Sequence, residues 1–94
     1  LVASNDDMAI GAIKQLHEAG ITVPERVSVL GFDDIALAPY IVPSLSSVRI
    51  PVTEMIKETI NRLIFMLDGG EFKYQQTFAG ELHSRDSIID GPHA

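Results

Sequence analysis

Ninety-four residues suffice for one domain at most, and 7 Lys and Arg against 13 Asp and Glu leave a formal net charge of −6. The few scattered basic residues exclude this segment as a nucleic-acid surface, which needs clustered Lys and Arg. The apolar content of 46% places it among globular chains rather than disordered ones. The lack of cysteine excludes a disulfide framework, a thiolate zinc site and a Cys nucleophile and fits a reducing compartment, and no apolar run approaches the roughly 20 residues that span a bilayer.

The chain opens on Leu1-Val2-Ala3, without an initiator Met and as if inside a buried strand, so it reads as a fragment whose targeting sequence, if any, lies outside it. The apolar run 1–4 meets Ser4-Asn5-Asp6-Asp7, a strand end that also offers helix N-caps and acidic first-turn residues. A helix is expected next. Ala9, Ala12, Ile13, Leu16 and Ala19 recur at helical spacing, and Gly20 followed by Ile21 suits a C′ glycine with its trailing apolar residue. Thr22 to Arg26 break the pattern, and Val27-Ser28-Val29-Leu30-Gly31-Phe32 reads as a second strand.

Strands joined by one helix are most often parallel neighbours, so 1–4 and 27–32 should end at one sheet edge, where open parallel sheets hold ligands. That edge would present Asn5-Asp6-Asp7 and Asp33-Asp34. Pro39 and Pro43 limit the next segment to a turn and a loop, Ser46 to Ile50 reads as a more polar strand, and Pro51 follows it. Val52, Met55, Ile56, Ile60, Leu63, Ile64 and Leu67 make one helical stripe ended by Asp68-Gly69-Gly70, with Glu58 and Arg62 paired on the exposed face. Strands are expected at Gln75–Leu82 and, shorter, at Ser87-Ile88-Ile89 before a polar end, Asp90 to Ala94.

Asn5 and Asp33 stand out chemically: an amide with donors and an acceptor, beside a carboxylate, suits vicinal hydroxyls. Both residue types also cap backbones at such positions, and the local sequence leaves both roles open. Adjacent acids at 6–7 and 33–34 are poorly placed for a glycosidase pair or a magnesium site, because strand neighbours point to opposite faces and no phosphate loop accompanies them. The three His residues lack metal-ligand spacing, the serines lack a nucleophile elbow, and Arg85-Asp86 reads as a surface or interface ion pair. Ile10, Ile13 and His17 form a second stripe on the first helix, either a wider buried face or a protein contact.

Four segments in order carry a resemblance: Ala3 to Ala12 around Asn5-Asp6, Gly20 to Asp34 ending in Gly31-Phe32-Asp33-Asp34, Pro43 to Pro51, and Arg85-Asp86-Ser87. Together they resemble the LacI/GalR family of bacterial transcription regulators over nearly the whole chain. The resemblance implies an α/β, periplasmic-binding-protein-like fold of parallel sheets with flanking helices, present as parts of two subdomains around a cleft. Residues 1–49 would belong to the C-terminal effector-binding subdomain, 50–79 to the crossing and the N-terminal one, and 80–94 to the returning tail. It implies a cytoplasmic, non-enzymatic sugar- or glycoside-responsive repressor without cofactor or metal, binding operator DNA through an N-terminal helix-turn-helix domain outside this segment. Effector contacts fall on Asn5, Asp33 and Ile50. Ile50 is apolar where the lactose-responsive member is polar, which points to an apolar ligand portion. The homodimer contacts fall on Ile10, Ile13, Lys14, His17, Tyr40 and Ile41. Alternatives are a periplasmic sugar-binding protein of a transporter, which shares the fold, and a sugar-acting enzyme, which would require turnover.

Overall fold

The computed structural model describes residues 1–70 and 77–89. Contacts divide the chain into two compact units, Leu1–Arg49 with Glu81–Ala94, and Ile50–Gly80.

In the first unit, helix α1 (Asp6–Glu18) begins where Asn5, in extended conformation, accepts the Met8 N–H on its side-chain oxygen at 2.8 Å. It ends in a double closure: the Ile21 N–H reaches the Leu16 carbonyl at 2.9 Å and the Gly20 N–H that of His17 at 3.0 Å, with Gly20 at φ 75. Only glycine adopts that conformation without a Cβ penalty, which is why the apolar periodicity stops there. Ala9 and Ile13 from α1 join Val29, Ala38 and Leu45 in the buried core. Leu45 is fully buried, worth about 1.5–3 kcal/mol for such a side chain.

Strand β1 (Leu30–Phe32) pairs in parallel with β2 (Ser46–Arg49), with Gly31 opposite Ser47, and β3 (Glu81–His83) adds to the other side of β2 in antiparallel sense. The opening residues lie parallel to β1 as expected, but only through an isolated bridge from Val2 to Leu30; they form no strand, and Leu1 and Val2 are exposed rather than buried. Between β1 and β2 a single 3-10 turn, Ala38–Tyr40, packs Ala38 into the core.

The strands are shorter than the hydropathy runs. Arg26 and Val27 both donate to the Thr22 carbonyl, so the chain is still turning there, and the Val29 N–H goes to Ser87 O at 2.8 Å instead of a ladder. Ser87 to Ile89 forms no strand: Ser87 lies in a turn, bonded to Val29 and Ser44. Of the strand expected from Gln75, residues 75 and 76 lie outside the described residues, 77–80 are irregular and only 81–83 pair. The polar end at 90–94 also lies outside them.

The second unit is built on α2 (Val52–Leu67), closed like α1 by Gly69 at φ 89 and a Gly70 N–H to Phe65 carbonyl bond of 2.9 Å. The Arg62–Glu58 pair forms at 2.9 Å, one helical turn apart. None of its residues is buried, so the apolar stripe lies open; Ile50, Val52, Met55, Ile56 and Ile60 line a shallow depression along it. Among the described residues, no helix is long and apolar enough to cross a membrane.

Candidate functional site

The parallel bridge from Val2 to Leu30, extended three residues along each chain, brings Asn5 and Asp33 to the same carboxyl end of the sheet. Asn5 is half-buried and its oxygen is committed to the cap; Asp33 is exposed. The backbone at this edge is unusual: Asp33 has φ 110 and Asp34 φ 54. Asp tolerates the left-handed helical region, but a conformation like that of Asp33 costs of order 1–3 kcal/mol and persists only where the surroundings over-determine it.

Three consecutive amides supply that determination. The Asp33 N–H donates to the Val48 carbonyl at 2.9 Å, the Asp34 N–H to Ser47 Oγ at 2.9 Å, and the Ile35 N–H to Asp6 Oδ2 at 2.8 Å. The Ser47 hydroxyl in turn donates to Asp6 Oδ1 at 2.7 Å. Asp6 is fully buried, as are Ser46 and Ser47. A buried carboxylate is costly unless both oxygens are bonded, and here each accepts one hydrogen bond. Gly31 makes the room: a Cβ there would overlap Asp6 Oδ1. The adjacent acids therefore diverge, Asp6 inward and Asp7 to the exposed face, which argues against their acting as a pair.

Arg85 is not paired with its neighbour Asp86. Its NH1 donates to the Leu45 carbonyl at 2.7 Å and stands 2.8 Å from Asp34 Oδ1 as a charge contact, without hydrogen-bond alignment. His83 Nδ1 lies 3.8 Å from Asp34 Oδ2. Ser87 is fully buried; its hydroxyl donates to the Val29 carbonyl at 2.6 Å and accepts the Ser46 N–H at 2.8 Å. The returning segment thus fastens β2 to the residue just before β1 through the Ser87 hydroxyl.

Sequence reasoning places Asp6 at this edge but not as its buried acceptor, and misses Ser47 and Arg85 as parts of it. The available signal was the glycine in Gly31-Phe32-Asp33, whose missing side chain marks a close approach.

Elsewhere in the first unit, Ile10, Ile13, Lys14, His17 and Ile41 line one largely apolar groove of about 570 Å³ with Ile21, Val23 and Val42. Tyr40 lies outside its lining and is 79% exposed. Ile50 belongs to the second unit.

A parallel β-α-β edge of this kind defines a class, and residues 1–88 match the periplasmic binding protein-like domain family. Within that class the chain belongs to the LacI/GalR family of transcriptional regulators. It is 73% identical over 89 residues to the HTH-type transcriptional regulator AscG of Escherichia coli K12, covering 95% of this chain and 26% of that protein. A crystal structure of the Escherichia coli transcriptional repressor ascG superposes with a TM-score of 0.81 at 72% identity, over 96% of this chain and 33% of that one. The lac repressor dimer bound to operator and the anti-inducer ONPF gives 0.86 at 26% identity, over 95% and 31%. The CelR–cellobiose complex gives 0.84 at 30% identity, over 92% and 27%. The chain spans about a quarter of the length of AscG.

Proposed function

We propose that this chain is the ligand-sensing portion of a cytoplasmic, DNA-binding transcriptional repressor whose effector is a sugar or glycoside held against Asn5 and Asp33. The carrying observation is the convergence of these two residues on the carboxyl end of a parallel β-α-β unit, in a chain 73% identical to a helix-turn-helix regulator. A relative of similar fold is described in complex with cellobiose, which supports a saccharide as the ligand class.

Asp33 offers an exposed carboxylate to hydroxyl donors, and Asn5 offers its amide N–H groups once its oxygen serves the cap. Ile50, carried over from the resemblance, is the third proposed contact and favours an apolar aglycone. Residues 1–49 and 80–94 are read as parts of the C-terminal effector subdomain and 50–79 as the crossing and part of the N-terminal one. The open stripe of α2 is then core surface of that second subdomain. The groove around Ile10, Ile13, Lys14, His17 and Ile41, with Tyr40 at its margin, is read as the homodimer face; a dimer is the form described for the lac repressor.

A ligand changes operator affinity only by its difference in affinity for the two operator-binding states. The test is a gel shift of the full-length protein on operator fragments from its own promoter region, with glucose, cellobiose and aryl β-glucosides. Operator binding altered by one class of saccharide is expected. Failure to bind DNA, combined with saccharide-dependent stabilisation of about 2–3 kcal/mol at a hundredfold excess over Kd, would point instead to a transport protein.

A further inference from the structure

The buried bonds beneath Asp33 carry more than stability. We propose that Asp6 and Ser47 are positioning residues for effector binding: by bonding the Asp34 and Ile35 amides they hold Asp33 and Asp34 at their positive φ angles and so aim the Asp33 carboxylate, which makes no bond of its own to the relay. The inference rests on the reading of Asp33 as an effector contact.

The relay is continuous. Ile35 N–H and the Ser47 hydroxyl both donate to the Asp6 carboxylate, Ser47 Oγ accepts the Asp34 N–H, and Asp6 directly follows Asn5 in the chain. One side chain therefore ties the residue next to Asn5 to the turn that holds Asp33, across 29 and 41 positions of sequence. Arg85 adds charge at the far end, beside Asp34. Ser47 is fully buried and touches no solvent, so any influence it has on a ligand must pass through the backbone that it holds. Without its hydroxyl, the Asp34 N–H loses its acceptor and Asp6 Oδ1 loses its donor, and Asp33 relaxes toward the extended conformations that Asp prefers.

The test uses the full-length protein and two probes, cellobiose and phenyl β-D-glucoside. In Ser47→Ala, the Asp34 and Ile35 amides should exchange with deuterium at least about tenfold faster, and the probe that binds wild type should bind about tenfold more weakly. In an Asp33→Asn background the same Ser47→Ala change should alter probe affinity less than about twofold, because Asp33 is the group through which it acts. Asp6→Asn serves as the second variant if Ser47→Ala does not fold, since it keeps the shape and the Ile35 acceptor while losing the acceptor for the Ser47 hydroxyl. Unchanged amide exchange overturns the relay. Equal loss of affinity in both backgrounds also overturns it, marking Ser47 as merely structural. A strong effect of Asp33→Asn with none from Ser47→Ala overturns the proposal and leaves the Asp33 reading standing; no effect of Asp33→Asn removes both.

Discussion

Ser87→Ala isolates the attachment of the returning segment. The substitution removes one hydroxyl from a fully buried position and changes little volume, so its cost lies in the two bonds that hydroxyl makes. The Val29 carbonyl, just before β1, loses a 2.6 Å donor and the Ser46 N–H, in β2, loses a 2.8 Å acceptor, both beyond the reach of water. A buried backbone group left without a partner costs about 1–3 kcal/mol, so two give about 2–6 kcal/mol, reduced where the backbone bonds of Ser87 to Ser44 and Val29 persist. Against a typical stability of about 5–15 kcal/mol, that is a severe loss. Urea unfolding of the full-length protein, followed by circular dichroism, should show the midpoint for this subdomain falling by about 1 M at a slope near 3 kcal/mol/M. A change below about 0.5 kcal/mol would refute the claim that the Ser87 hydroxyl fastens β2 to the residue before β1.

Gly31→Ala drives a methyl into Asp6 Oδ1 and should lower the thermal midpoint measurably; an unchanged midpoint would show that the Asp6 carboxylate has room to shift. Asn5→Asp keeps an acceptor for the Met8 N–H and removes the amide donors, so helix stability should hold while saccharide affinity measured by calorimetry falls about tenfold or more. Ile10→Asp should shift the protein toward monomer in sedimentation, because the groove that this half-buried residue lines becomes charged; a dimer of unchanged strength would make that groove an intramolecular feature.

Both helices were legible because their evidence is local. Apolar residues three and four apart set α1 and α2, and each stops at a glycine whose positive φ closes the last turn, at Gly20 and Gly69. The edge carrying Asn5 and Asp33 followed from the parallel rule alone. What stayed hidden depends on distant partners. Asp6 looks like a surface helix-start acid until Ser47, 41 positions away, is seen to bond it, and Arg85 looks paired with Asp86 until Asp34 is placed beside it. Hydropathy overestimated the strands at 27–32 and 87–89 because apolar runs mark burial, whereas these backbone groups bond to turns and to serine side chains. The stripe of α2 is helical as its spacing predicts, and it lies open because no residue of α2 is buried.

The most direct test of the account compares wild type with Asp33→Ala in the full-length protein, measuring operator affinity at fixed salt with and without the saccharide that wild type senses. The exposed position of Asp33 predicts unchanged operator affinity in the absence of sugar and a response to sugar that is lost or shifted to concentrations at least about tenfold higher. An Asp33→Ala protein that responds at the wild-type sugar concentration would contradict the account.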